Sequence, residues 1–360
     1  MTRVLITGGA GFIGSHLCIQ MLNAGHSLVV LGDFSNSSPV ALMRVAALAG
    51  LQQWQESGSG VWQDCQPSRL ELRQGDVRSR ADLLQACQNI DAVIHLAGLK
   101  SVGESVQDPL RYWDINVQGT LQLLQVMDEL GCRTVVFSSS ASVYGLQEQV
   151  PIAESAQIKP INPYASTKAT VEQLLSDLVG SGSDWRVASL RYFNTVGAHP
   201  SGQIGEAPLS TPSNLFPLII QVASGKRDSL QIFGQDWPTQ DGTCLRDYIH
   251  VMNLADGHVA ALDKLLNNGC QCLRVNLGTG RGHSVLEVIQ AFNATSGIAV
   301  PWVKAKRRPG DAAVSMADIR VAKQVLGWSA SRSLEDMCRD SWAWLCANPA
   351  GYPDNASDAL

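Results

Sequence analysis

A strand that runs straight into closely spaced glycines, Val4-Leu5-Ile6-Thr7-Gly8-Gly9-Ala10-Gly11-Phe12-Ile13-Gly14, narrows what this chain can fold into more than any other stretch. The segment after it carries Leu17, Met21 and Leu22 at helical spacing. A turn of this kind brings backbone N–H groups and a helix N-terminus up to a pyrophosphate. The glycines satisfy G-x-G-x-x-G from Gly9 and the overlapping G-x-x-G-x-x-G from Gly8. Glycine-rich turns are common, so the context decides. A strand precedes this one, a helix follows, and a second apolar strand over 28–31 leads to Asp33, at about the ~20-residue distance expected of a ribose-binding acid.

Residues 1–195 keep the same rhythm. Strands are predicted over 4–7, 28–31, 70–73, 92–96, 134–138 and 187–190, and apolar-periodic helices over 13–24, 81–87, 112–130 and 164–180. Such alternation predicts an α/β fold, a Rossmann-type doubly wound parallel sheet with ligands beyond the carboxyl ends of its strands. Residues 41–68 break the rhythm and read as a helix followed by a surface excursion. Beyond 195, proline- and glycine-rich loops over 197–212 lead to a helix at 214–223, a strand at 230–233 and a helix at 251–266. A strand and turn over 275–280 follow, then a last helix from Ser333, a natural N-cap, to about residue 345. The expected division is a dinucleotide-binding domain over 1–195, a smaller mixed α/β substrate lobe over 196–350 with pieces returning to the first domain, and a tail over 351–360.

Composition excludes several classes of function. A chain of 360 residues, 45% hydrophobic and 16% charged, is long and apolar enough for a sizeable ordered core. With a net charge of -5 and no long basic run, nucleic acid is not an expected partner. The short cluster Lys304-Ala-Lys306-Arg307-Arg308 suits a small phosphorylated ligand instead. The N-terminus is already strand and turn, and no apolar run reaches membrane-spanning length, so a cytoplasmic location without membrane partners is expected. The nine cysteines stand singly apart from Cys270-x-Cys272, which predicts reduced thiols and no metal.

The chemistry-bearing residues sit where strands end. The strand over 134–138 runs into Ser138-Ser139-Ser140-Ala141-Ser142-Val143-Tyr144-Gly145, and the later helix opens with Pro163-Tyr164-Ala165-Ser166-Thr167-Lys168. Tyr164 and Lys168, at i and i+4, share a helix face. A tyrosine becomes a base near neutral pH only if its phenolate gains about 4 kcal/mol, and one close ammonium supplies a pKa change of ~1–3. A cationic nicotinamide ring would supply the remainder. Asp76, at a strand end, is placed for adenine, and Leu96-Ala97-Gly98-Leu99-Lys100 is small enough for a close ligand approach. Asn116 and Gly119 are poor helix formers inside a helix, so they mark either a packing contact or an Asn reaching into the crevice.

Taken together, Thr7 to Gly14, Ser140, Tyr164 and Lys168 resemble the extended short-chain dehydrogenase/reductase superfamily. Four further runs narrow the resemblance to its UDP-glucose 4-epimerase family: His95-Leu-Ala-Gly-Leu-Lys-Ser-Val-Gly-Glu-Ser105, Leu190-Arg-Tyr-Phe-Asn194, Val196-Gly-Ala-His-Pro-Ser-Gly202 and Arg246-Asp-Tyr-Ile-His-Val251. The match spans nearly the whole chain. It implies reversible C4 epimerisation of a UDP-hexose through a 4-keto sugar, with tightly held NAD and a homodimer formed through the helices near 112–130 and 164–180.

By the same resemblance, Gly8, Gly11, Phe12, Ile13 and Gly14 would hold the pyrophosphate of NAD, and Asp76 and Val77 the adenine. Ala97, Gly98, Lys100, Asn116 and Tyr192 would line the cofactor cleft. Ser140 would hold the sugar O4, Tyr164 would act as base and acid, and Lys168 would bind the nicotinamide ribose. Asn194, Asn214, Leu215, Gln231, Phe233, Arg246, Arg308 and Asp311 match UDP-binding positions, a chemistry that suits two arginines for a diphosphate and an aromatic for a base. Ser315 falls where a bulky Tyr narrows the sugar pocket in hexose-specific relatives, so acceptance of 2-acetamido sugars is expected.

One departure is Gly32-Asp33, where the family has Asp-Asn. Asp33 is still expected to reach the ribose because Gly32 frees the backbone. No Arg follows until Arg44, which favours NAD over NADP. Dehydratases of the superfamily place an Asp-Glu pair where this chain has Ala141 and Ser142, neither of which is a general acid. A UDP-glucuronate or strictly UDP-N-acetylhexosamine 4-epimerase and a non-catalytic NAD sensor are the competing readings.

Overall fold

The computed structural model describes residues 1–51, 55–56, 61–63, 68–207, 214–269, 271–308 and 310–353. Most of the excursion past residue 51, residues 208–213 of the proline- and glycine-rich loops, Cys270 and the end of the tail at 354–360 lie outside the described residues.

A nine-stranded sheet forms the centre. Gln271–Leu277, Arg186–Tyr192, Thr134–Ser140, Ala92–His95, Arg3–Thr7, Ser27–Gly32 and Leu70–Gln74 lie side by side in that order, all parallel. Val61–Gln63 and Gln55–Glu56 continue the sheet antiparallel from the Leu70–Gln74 edge, so part of the excursion is an added hairpin.

Both faces of the sheet are apolar. Val4, Ile6, Leu28 and Val30 pack under helices Phe12–Asn23, Val40–Leu48 and Val251–Leu266. Leu5, Val29, Leu31 and Val93 pack under Arg80–Ala86, Gly119–Glu129 and Pro163–Gly180. Each such side chain contributes about 1.5–3 kcal/mol when buried. A one-residue slip of a strand would exchange its two faces, so the register is fixed from both sides. Two pieces of the second half belong to this body: Gln271–Leu277 lies beside Arg186–Tyr192, and Val251–Leu266 packs against Phe12–Asn23.

A second core gathers helices Leu215–Ala223, Val285–Ser296 and Leu334–Ala347 around Phe216, Ile219, Val288, Phe292 and Met337. Ser333 caps the last helix in a reciprocal capping box with Asp336. The helix Val285–Ser296 is absent from the sequence reading, although Ser284 and Glu287 form a capping box and Gly297 closes it at φ 73°.

The stretch read as one helix over 112–130 is three pieces. Pro109–Trp113 is α-helical, Asp114–Gln118 widens into a π-helical turn, and Gly119–Glu129 resumes the α-helix. Such turns recur at functional sites, and this one carries Asn116. Among the described residues no helix is long and apolar enough to cross a membrane, and no group of three or more His, Cys, Asp or Glu could hold a metal ion.

Candidate active site

Strand order reverses at Arg3–Thr7, which has Ser27–Gly32 on one side and Ala92–His95 on the other. A crevice opens beyond the carboxyl ends at such a point, where doubly wound sheets take their ligands. The glycine turn forms one wall. Gly8 has φ +71°, and a Cβ there would stand 2.9 Å from the Ala97 amide nitrogen of the neighbouring strand end. Gly14 lies so close under the turn that a Cβ would meet the Gly8 carbonyl oxygen at 2.4 Å. Gly11 precedes the helix Phe12–Asn23 with no side-chain cap. The first N–H groups of that helix are therefore left for a ligand. Backbone walls that exclude Cβ atoms and an uncapped helix N-terminus fit a dinucleotide pyrophosphate.

Below the turn, a chain of hydroxyls ties the two strand ends together. The Ala97 N–H donates to Thr7 Oγ1 (3.2 Å), Thr7 Oγ1 meets His95 Nδ1 (2.7 Å), and His95 Nε2 meets Thr120 Oγ1 (2.8 Å). Thr120 in turn donates to the Asn116 carbonyl at 2.6 Å. These donors assign the ring proton of His95 to Nε2. Burial pushes His95 down to about 3, with the nearby Lys168 charge acting the same way, so the ring stays neutral. The side chain of Asn116 then grips the opposite wall. Its Oδ1 accepts from the Leu99 N–H at 2.8 Å, and its Nδ2 donates to the Leu99 carbonyl (3.0 Å) and to Thr167 Oγ1 (3.1 Å). Gly98, at φ +156°, leaves the space Asn116 needs: a Cβ there would lie 3.0 Å from Asn116 Oδ1. Asn116 is buried and bonds Leu99 and Thr167, and Gly119 is a packing contact, since a Cβ there would meet Val77 at 2.8 Å.

The third wall carries Ser140, Tyr164 and Lys168, the residues expected to hold the acid–base chemistry. Thr134–Ser140 is two residues longer than predicted, so Ser140 is its last residue, and it caps the turn Ala141–Tyr144 by accepting from the Ser142 N–H at 3.2 Å. Its hydroxyl also contacts that of Ser142. Asn162 caps the helix Pro163–Gly180 by accepting from the Ala165 N–H at 2.9 Å, which puts Tyr164 in the first turn and Lys168 one turn further in. Burial raises the Tyr164 phenol above its ordinary value, and the neighbouring Ser140 hydroxyl pulls it back. Lys168 is 5% exposed, donates to the Ser138 carbonyl at 2.7 Å and lies 4.8 Å from the Phe137 ring centre. Burial pushes its ammonium down to about 8. Tyr192 is buried beside them, with its hydroxyl bonded to His258 Nε2.

At the far end of the crevice, Asp33 is exposed and accepts from the Ser35 N–H (3.0 Å) and hydroxyl (2.9 Å) through one oxygen. The unusual backbone lies at Phe34, with φ 58°, whereas Gly32 remains a strand residue paired with Gln74. Gly32 therefore supplies no special freedom; the positive-φ turn follows the acid, at Phe34. The Arg78 guanidinium holds the Asp76 carboxyl below the usual range, at 2.5 Å, and also pairs with Asp114 at 2.7 Å. Val77 is buried beneath. Lys100 is paired with Glu206 at 3.2 Å, a partner the sequence reading did not single out.

Residues matched to UDP positions converge through strand pairing. Leu245 and Arg246 lie opposite Val314 and Ser315. Arg246 donates to the carbonyls of Leu245 (2.9 Å) and Ala312 (2.8 Å) and faces Asp311 at 3.6 Å. The Arg308 guanidinium stacks 3.7 Å from the Phe233 ring centre. Its neighbour Arg307 is engaged elsewhere, with Asp236 at 2.7 Å and over Trp237. Gln231 is exposed on the strand Leu230–Phe233, Asn194 on Asn194–Val196, and Asn214 at the start of Leu215–Ala223, where Leu215 packs partly against the second core. Asp247, passed over in sequence, is fully buried and accepts from the N–H groups of Thr279 (2.8 Å), Gly280 (2.9 Å) and Ala317 (3.1 Å), fixing the loops around Arg246 and Ser315.

This geometry agrees with the comparisons to known proteins. UDP-glucose 4-epimerase 2 of Arabidopsis thaliana is 49% identical over 356 residues, covering 98% of this chain and 98% of that one. UDP-glucose 4-epimerase of Bacillus subtilis is 49% identical over 352 residues, covering 97% and 98%. The crystal structure of UDP-glucose-4-epimerase from Stenotrophomonas maltophila with bound NAD and formylated UDP-arabinopyranose superposes with a TM-score of 0.90 at 46% identity, covering 97% of this chain and 99% of that one. The model of the NAD dependent epimerase/dehydratase family matches residues 4–278, and with these full-length relatives it shows that the chain belongs to that family.

Proposed function

We propose that the protein interconverts UDP-glucose and UDP-galactose by inversion at C4. The observation that carries this reading is the convergence of Ser140, Tyr164 and Lys168 at a strand end that faces a dinucleotide-shaped crevice. Gly8, Gly11, Phe12, Ile13 and Gly14 would hold the pyrophosphate of NAD, Asp33 the ribose, Asp76 and Val77 the adenine, and Ala97, Gly98, Lys100, Asn116 and Tyr192 the remaining length of the cleft. NAD, when bound, supplies the hydride acceptor and donor for C4 and a cationic ring beside Tyr164. Ser140 Oγ holds the sugar O4, and Tyr164 Oη takes the O4 proton and returns it. Lys168 keeps a positive charge behind the phenolate, against the burial that otherwise raises Tyr164. Asn194, Asn214, Leu215, Gln231, Phe233, Arg246, Arg308 and Asp311 anchor UDP while the sugar turns. Purified protein should carry NAD and convert UDP-galactose to UDP-glucose with none added. Copurified NADP, or no conversion by NAD-loaded protein, would remove this reading.

Ser315 widens the range of sugars. It is half-buried opposite Arg246, whereas the adjacent Met316 directs its sulfur to Gly282, 3.8 Å from a Cβ built there. On this reading the Met316 side chain, engaged at Gly282, leaves the space in front of Ser315 open. UDP-N-acetylglucosamine and UDP-N-acetylgalactosamine should therefore be interconverted as well. Ser315→Tyr should abolish that activity and spare the unacetylated pair, since an overpacked pocket costs about 1–3 kcal/mol or more. Equal losses on both pairs would show that Ser315 is not the gate.

A homodimer accounts for an apolar strip on Val102–Gln107 and Pro109–Trp113, the helices packed against Pro163–Gly180. Val106 is 63% exposed, Leu110 80% and Trp113 38%. A contiguous strip of this kind marks an association surface. Leu110→Glu should shift sedimentation from dimer to monomer; a wild-type monomer at micromolar concentration would rule the dimer out.

A further inference from the structure

Behind the acid–base residues lies a buried charge cluster that the reaction as described does not use. Glu172 stands one helical turn beyond Lys168 and is 4% exposed. Arg191, 1% exposed, meets its carboxylate with both ends of the guanidinium fork: Nε to Oε1 at 2.9 Å and Nη2 to Oε2 at 2.6 Å. Ser139, next to Ser140, donates its hydroxyl to the same Oε1. The remaining Arg191 Nη1 reaches the Tyr144 hydroxyl (2.9 Å) and the Glu154 carbonyl (3.0 Å), and Tyr144 donates to Asn276 Oδ1 at 2.6 Å. One carboxylate thus joins the helix carrying Tyr164 and Lys168, the strand ending in Ser140, and the strand Arg186–Tyr192.

Stability alone is a poor reason for such a pair. Removing two charges from water costs several kcal/mol per ion, and packed apolar residues often serve as well. Its place in the helix offers a better reason. Residues at i and i+4 are neighbours on one face, so the Glu172 carboxylate lies on the side of the helix where Lys168 needs a counter-charge.

We propose that Glu172 is a positioning residue of the active site, one whose carboxylate, held by Arg191 and Ser139, sets the depth of the Tyr164–Lys168 helix against Ser140 and keeps Lys168 charged. The proposal rests on the reading of Tyr164 and Lys168 given above. The groups facing this cluster come from every neighbouring element. Around Glu172 they are Arg191, Tyr144, the Glu154 carboxyl near both, and exposed Arg274 at 3.9 Å. Around Lys168 they are Tyr164, neutral His95 and Glu172, with Tyr192 behind Tyr164. Glu172 is the group that opposes the effect of burial on Lys168. Without its charge Lys168 loses its proton at lower pH, and the phenolate of Tyr164 loses its ammonium.

The test uses Glu172→Gln, the charge-retaining Glu172→Asp, and Glu172→Gln with Arg191→Gln, which leaves no guanidinium unpaired. Each is purified with its NAD. The 13Cε resonance of Lys168 in lysine-labelled protein, identified by its loss in Lys168→Met, and kcat on UDP-galactose are both followed with pH. In Glu172→Gln the Lys168 midpoint should fall by up to about one pH unit, and by less in the double variant, which also loses the Arg191 cation; the alkaline limb of kcat should move down with it. Glu172→Asp should lower kcat and leave both midpoints in place. A Lys168 midpoint that stays put in a folded uncharged variant overturns the proposal. Should neither uncharged variant fold, a displaced midpoint in Glu172→Asp overturns it and an unchanged one supports it. If the resonance moves as expected while the unsubstituted protein converts no UDP-hexose, Glu172 keeps its role and the proposed reaction fails.

Discussion

Tyr164→Phe should lower kcat by about 10²–10⁴-fold, the range for a positioned acid–base group, while UDP affinity and NAD content stay near those of the unsubstituted protein. The substitution removes one oxygen and keeps the ring. Tyr164 occupies the first turn of a helix whose start is fixed by Asn162 and Pro163 rather than by the phenol. Its hydroxyl meets that of Ser140, with Tyr192 nearby. The fold should therefore survive, and the loss should fall on kcat, as expected when an interaction used only in the transition state is deleted. A kcat within threefold of wild type would show that another group moves the O4 proton. Ser140 is the neighbouring hydroxyl that meets Tyr164, and Ser142 contacts it, so the same measurement on Ser140→Ala and Ser142→Ala would then locate it.

Gly14→Ala should empty the crevice. The added methyl would meet backbone on all sides: the Gly8 carbonyl oxygen at 2.4 Å, Gly9 Cα at 2.5 Å and Gly9 C at 2.7 Å. No flexible side chain can give way, so the turn itself must open. Overpacking of this kind costs about 1–3 kcal/mol, occasionally more. For a chain of this size each kcal/mol lowers Tm by roughly 2–4 °C. The larger effect falls on the ligand. Opening the turn displaces the N–H groups at the start of the helix Phe12–Asn23, whose aim at the pyrophosphate depends on this close approach. NAD recovered per chain should drop at least tenfold, with activity falling in proportion until NAD is added in excess. Full NAD occupancy in Gly14→Ala would show that the pyrophosphate does not rest on this turn.

Local pattern carried much of this protein. The glycine turn, the alternation of strands and helices, and the spacing of Tyr164 and Lys168 are short-range signals, because side-chain periods and turn chemistry are written in neighbouring residues. Capping signals were equally legible where they were sought, at Ser333, and went unread at Ser284, where the same motif begins a helix. Glu172, too, stands at i+4 from Lys168 and could have been noticed by spacing alone.

Contacts across the fold were another matter. Asn116 looked like a helix fault until the π-helical turn placed it between Leu99 and Thr167, residues 17 and 51 positions away. The turn at Asp33 is made by Phe34, a residue whose positive φ no propensity suggests, and not by Gly32. Arg308 and Phe233 share a stack, and Arg246 faces Ser315, only because distant strands pair in one register. The sequence by itself determined the sheet, the glycine turn and the shared helix face of Tyr164 and Lys168, since each is encoded within about one turn or one strand. Only the tertiary structure decided which walls meet around the sugar, and that a single carboxylate, Glu172, ties Tyr164, Lys168 and Ser140 to Arg191. Those contacts depend on the packing of helices on a twisted sheet, which sets distances that no local period records.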